Sequence, residues 1–136
     1  MADNQKIVID KNSFSVYGTE VPSEYMEGHE EIFRYLVRMV PLNENFDIEK
    51  NNISFSPGKD GDPQPNGEPG GEGGAIQFLI KDDVFMRLTY HEISIQGEVQ
   101  DQSDPVAHAI AVYSGFREFL RISEALDKKK VSVAVE

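Results

Sequence analysis

The sequence predicts an α+β fold: a single domain over residues 1–136, with a mainly antiparallel sheet of about seven or eight short strands packed against two helices. The expected order is β-β-α-β-β-loop-β-β-β-α-β. Three observations lead there. Short runs alternate apolar and polar residues, as strands with one buried face do. Two longer runs place their apolar residues at helical spacing. Turn-forming residues separate most of these runs.

Ile7 and Ile9 alternate with polar neighbours, Asp10-Lys11-Asn12-Ser13 reads as a turn, and Phe14 and Val16 resume the alternation, so two short strands open the chain. Pro22-Ser23 then starts a helix expected over residues 23 to 40. Ser23 is placed as its N-cap, and Glu24 and Glu27 lie near the positive end of the helix dipole. Tyr25, Ile32, Phe33, Leu36, Val37 and Val40 share one face, and Pro41 stops the run. Glu27, Glu30, Glu31, Arg34 and Arg38 lie on the other face, with Glu30 and Arg34 at a supportive i, i+4 spacing.

Phe46 and Ile48, then Lys50-Asn51-Asn52, then Ile53 and Phe55 predict a hairpin, because Asn tolerates the left-handed backbone of tight turns. Residues 57–74 contain nothing larger than Gln or Lys and are rich in Gly and Pro. Such a stretch cannot bury enough apolar surface to offset its ordering entropy, so a flexible loop is expected there. Three strand-like runs follow: Ile76, Phe78 and Ile80; Val84, Met86, Leu88 and Tyr90; and Ile93, Ile95 and Val99 with Gly97 as a bulge. Asp104-Pro105 pairs an N-cap with proline at the first helical position and starts a second helix, expected to reach Lys128-Lys129-Lys130. Val131, Val133 and Val135 close the chain as a strand. No internal repeat and no domain linker stands out.

Charge and composition exclude several classes. The 24 acidic residues against 13 basic ones give a formal charge of −11. Residues 1–74 hold 14 of the acids and six of the bases, so the acid excess lies mostly upstream. A nucleic-acid binder neutralises phosphates with Lys and Arg, so no direct nucleic-acid contact is expected. No apolar run approaches the ~20 residues of a membrane span. Zero Cys removes disulfides and thiolate chemistry, and Met1 to Lys6 show no signal-peptide pattern, so a cytoplasmic protein is expected.

Chemistry is sparse. His29 is followed by Glu30 and Glu31, but at 100° per residue the three cannot converge on one ion, so no metal is expected. His91 reads as a turn residue, and His108 lies beside an apolar stripe. Ser103, Ser114 and Ser123 lack the glycine-flanked elbow of a catalytic serine, and no catalytic residue or cofactor is assigned. The segment beginning at Asp60 fails as a calcium loop because Pro65 stands where an EF-hand needs Gly. Arg87, Arg117 and Arg121 form a candidate anion-binding trio.

The second helix carries two apolar stripes. One contains Val106, Ala109, Ile110, Tyr113, Phe116 and Leu120. The other holds Val112, Phe119, Ile122 and Leu126, with Gly115 nearby. One sheet face needs only one stripe, so the second must meet the first helix, another subunit or a partner; Val112, Gly115, Phe119, Ile122 and Leu126 are the expected interface if a homodimer covers it. Glu27, Glu30 and Glu31 are the expected acidic face for a basic protein partner. These features favour a non-enzymatic protein-binding module, such as an inhibitor, immunity protein or chaperone. The alternatives are a small-ligand-binding or catalytic protein with a pocket between helices and sheet or at a dimer seam, and a structural subunit of a larger assembly.

Overall fold

The computed structural model describes residues 7–39, 46–49, 52–57, 74–126 and 130–135. The α+β class is as expected, but the strands form two sheets. The first orders β3 (Thr19–Glu20), β2 (Phe14–Val16), β1 (Ile7–Asp10), β5 (Asn52–Phe55) and β4 (Phe46–Glu49). The second orders β10 (Val131–Val135), β6 (Ile76–Ile80), β7 (Asp83–Leu88), β8 (Ile93–Ile95) and β9 (Glu98–Val99). All of these pairings are antiparallel. Two α-helices, α1 (His29–Met39) and α2 (Pro105–Glu124), accompany the sheets among the described residues. The expected loop at 57–74 lies, from 58 to 73, outside them.

The chain does contain a repeat. Phe14-Ser15-Val16-Tyr17-Gly18 and Ile93-Ser94-Ile95-Gln96-Gly97 are versions of one hairpin. Tyr17 and Gly18 turn at φ 49° and 85°, and Gln96 and Gly97 at 51° and 84°. Positive φ at both central residues gives a turn whose twist matches the flanking strands. Asp10 N–H donates to Ser13 O, and Thr89 N–H to Glu92 O, both at 2.9 Å. Beyond the turn, Val21 N–H reaches Phe14 O at 2.8 Å and Gln100 N–H reaches Ile93 O at 2.9 Å. The interval that carries Phe14 onto Ile93 also carries His29 onto His108.

The sheets obey the same correspondence. β1–β2–β3 match β7–β8–β9, β5 matches β6, and β4 matches β10. In strand order the units differ in where the chain enters: β5 ends the first unit, whereas its counterpart β6 begins the second. The glycine- and proline-rich segment therefore joins unit to unit. Gly97, expected as a bulge, is instead the turn between β8 and β9.

The first helix is shorter than expected. Ser23–Tyr25 form a 3-10 turn whose preceding residue makes no side-chain cap, Gly28 adopts φ 78°, and α1 starts only at His29. Tyr25, expected on the apolar face, is 47% exposed. Asp104 caps α2 as expected, its Oδ1 accepting from Val106 N–H at 3.1 Å and Ala107 N–H at 3.2 Å. In β7 a register shift opposite Phe78 and Leu79 displaces the alternation. Phe85 and Met86 are consequently both buried, and Val84, expected inside, is exposed.

One core draws on both sheets and both helices. α2 packs against β2 and β3 of the first sheet, β8 of the second, and α1. Tyr113 and Phe116 meet Phe14 with ring centroids 4.9 and 5.6 Å away, while Phe119 meets Phe78 and Phe85 at 5.6 and 5.8 Å. Most of both stripes is therefore covered within one chain, with Val106 left exposed at the start of α2. This corrects the expected dimer interface: Val112, Gly115 and Phe119 are buried inside the protomer, and Ile122 and Leu126 are partly buried against the same core. A Cβ on Gly115 would stand 2.8 Å from Ile95 Cδ1 and 3.2 Å from Met86 Cε. Both are movable side-chain ends, and alanine gains about 1 kcal/mol of helix propensity. Gly115→Ala is accordingly expected to change stability by less than about 1 kcal/mol in urea unfolding.

Candidate functional site

α1 and α2 leave a groove between them that β10 closes at one end. Its wider part holds about 880 Å³. Tyr35 and Met39 from α1, Leu120 and Leu126 from α2 and the segment after it, and Val131 and Val133 from β10 supply apolar walls. Glu31, Arg34, Arg38 and Glu124 supply charge. A narrower part of about 540 Å³ shares Glu31, Leu120 and Glu124 with it and adds Glu27, Arg117, Glu118 and Arg121. Helical spacing explains the lining. Glu31, Arg34 and Arg38 recur every three or four residues on one side of α1, and Glu27, two residues before the helix, extends that line at its acidic end.

The sequence-predicted residues meet here in part. Glu27 and Glu31 line the groove beside Arg117 and Arg121, whereas Glu30 is exposed and does not line it. Arg121 is engaged: its Nε and one terminal nitrogen donate to the two carboxylate oxygens of Glu118 at 2.6 and 2.7 Å. That bidentate pairing holds the Glu118 carboxyl below its ordinary range. Arg87 lines neither part of the groove. It stands on β7 in register with Gln77 and Ser94, while Arg117 and Arg121 of the expected trio line the groove.

A second concentration of polar groups lies inside the molecule. His29 and His108, matched by the repeat, are 7% and 4% exposed. His29 Nε2 donates to Asp10 O at 2.7 Å, which leaves its buried Nδ1 without a partner. His108 Nε2 is likewise buried and unpartnered. Each ring stacks on a tyrosine of the other unit: His29 on Tyr113 at 6.1 Å, and His108 on Tyr17 at 5.7 Å and 13°. Tyr17 donates its hydroxyl to Thr89 O at 2.9 Å, and Tyr113 makes a long contact of 3.5 Å to Glu27 O.

Burial raises the Tyr17 phenol above its ordinary pKa, with Glu92 adding to the effect. Burial also pushes Tyr113 up to about 12, with Arg117 opposing. His108 is shifted downward by burial, and Asp101 partly counters this. Asp101 itself is lowered, chiefly because the Ser103 N–H and hydroxyl both donate to it at 2.9 Å. Neither histidine lines the groove.

Sequence reasoning misses this pairing because it considers each histidine alone, His29 with its flanking glutamates and His108 beside an apolar stripe. The common interval between two otherwise dissimilar hairpins was the signal that would have paired them. Among the described residues no three His, Cys, Asp or Glu stand close enough to hold a metal ion. No helix among them is long and apolar enough to cross a membrane. No protein-family model matches the chain, and neither the curated proteins nor the solved structures provide a match.

Proposed function

We propose that the protein is a non-enzymatic protein-binding module, of the kind that serves as an inhibitor, immunity protein or chaperone. Its groove would take an apolar segment of a partner protein with basic residues at one end. The observation that carries this reading is the groove itself, which combines aliphatic and aromatic walls with charge graded from Glu27 and Glu31 to Arg34 and Arg38. Apolar walls supply affinity, and graded charge orients the guest. The net charge of −11 adds long-range attraction for a basic partner.

The test uses a photo-crosslinking residue in place of Tyr35, with Val99 on the exposed edge strand β9 as the control position. The Tyr35 position is expected to capture a protein through an apolar segment bearing Lys or Arg at one end, and the Val99 position is not. Binding of that protein should weaken as salt rises. Reversing Glu27, Glu30 and Glu31 to Lys should slow association by about tenfold, the scale of electrostatic steering. Equal capture at both positions, or capture indifferent to salt, would sink the reading.

A further inference from the structure

A sheet edge carries backbone donors and acceptors that another strand can use, and proteins blunt such edges with short strands or charge. Three of the four edges here are blunted. β3 and β9 are two residues long and contain Glu20 and Glu98, and β4 contains Asp47 and Glu49. The fourth, β10, reads Val131-Ser132-Val133-Ala134-Val135: five residues without a charge, a proline or a register shift against β6. No described strand lies on its other side.

The register says which groups the edge offers. Lys81 N–H donates to Lys130 O at 2.6 Å, and Val131 stands opposite Ile80. In an antiparallel ladder bonded and non-bonded positions alternate. Lys130, Ser132 and Ala134 therefore turn their N–H and C=O toward β6. Val131, Val133 and Val135 turn theirs outward.

We propose that this edge is a homodimer seam in which the β10 strands of two copies pair antiparallel about a two-fold axis at Val133. Val131 then meets Val135 of the second copy, Val133 meets its own counterpart, and every outward donor finds an acceptor. The second sheets of the two copies become one continuous sheet. The flanking sequence favours a second copy over a foreign strand: Lys128-Lys129-Lys130 precede β10 and Glu136 follows it. Two-fold antiparallel pairing brings the lysine end of each copy beside the glutamate end of the other, whereas parallel pairing sets lysines against lysines. The valine side chains share one sheet face, with Val131 buried and Val133 and Val135 packed partly on the core. The joined sheet therefore keeps its apolar side continuous. This seam uses the backbone edge of β10 and does not rest on the groove reading.

Sedimentation equilibrium of the full chain at micromolar concentration is expected to give twice the 15.3 kDa of one copy. Val133→Pro removes an outward N–H and spares the β6 ladder, so it should sediment as a monomer with an unchanged far-ultraviolet circular dichroism spectrum. Lys130→Glu and Glu136→Lys should each weaken the dimer several-fold, and the double swap should restore it. This charge-swap series keeps the proposal testable if the proline variant misfolds. A wild-type monomer overturns the proposal. So does a dimer indifferent to these three changes, or a monomer whose β10 amides are protected by a bound foreign strand.

Discussion

Phe116→Ala is expected to cost about 3–5 kcal/mol, the range for truncating a large aromatic in a closed core. Phe116 is 1% exposed, and its ring lies 5.1 Å from Phe78, 5.6 Å from Phe14 and 6.2 Å from Phe55. Phe14 and Phe55 belong to the first sheet and Phe78 to the second. The cavity left by alanine would therefore open where both sheets meet α2, and strands held in two separate ladders are poorly placed to close it. Typical domains hold only about 5–15 kcal/mol in total, so the variant should unfold at much lower urea. Fluorescence and circular dichroism should still trace one transition, because one aromatic cluster serves both units. Val99→Ala, on an exposed edge, should move the midpoint little. Two separated transitions would show that each unit has its own core.

Much of this arrangement was legible in the sequence because local signals and tertiary demand agreed. Asp104-Pro105 signals the start of α2 and caps it, and Ile7, Ile9, Phe14 and Val16 alternate as the first sheet requires. Where the two diverged, a backbone feature intervened. Gly28 at φ 78° broke the first helix, and the register shift in β7 buried Phe85, which strict alternation had placed outside. The second apolar stripe of α2 was read correctly as needing a cover. Its cover comes from the chain itself: Phe78 and Phe85 of the second sheet and Tyr35 of α1 all meet Phe119.

Less of the candidate site was visible. Glu27 and Glu31 were identified from helical spacing, and Arg117 and Arg121 from their one-turn separation, but nothing local indicated that these pairs face one groove. Groove walls such as Tyr35 of α1 and Leu126 and Val133 near the end of the chain are far apart in sequence, and packing brings them together. The repeat stayed hidden because the hairpins share turn geometry more than composition. Tyr17-Gly18 and Gln96-Gly97 place a different first residue at the same positive φ.

Acidification is expected to destabilise the protein through His108. Burial lowers the folded-state pKa of this ring below its unfolded value, and its Nε2 has no partner to receive a proton's charge. Its neighbours are Tyr17 on the β2–β3 turn, Asp101 before α2, and Asp104, whose carbonyl accepts the His108 backbone N–H. The first turn of a helix also disfavours positive charge. Above the unfolded pKa of about 6.5 both states leave the imidazole neutral, and the effect vanishes. As pH falls through that value the unfolded chain binds a proton that the folded chain refuses, so stability drops, with a slope of at most about 1.4 kcal/mol per pH unit. The loss stops growing once the folded pKa is passed. Urea unfolding at about pH 7.5 and about pH 5.5, above the range where most carboxylates titrate, should show the drop, and His108→Gln should flatten it. Asp101→Asn should carry the loss to lower pH, because the carboxylate is what favours the charged ring. Stability that rose toward acid would contradict the assignment. Since His108 stacks on Tyr17 of the first unit, and His29 on Tyr113 of the second, this proton acts at the joint between the units.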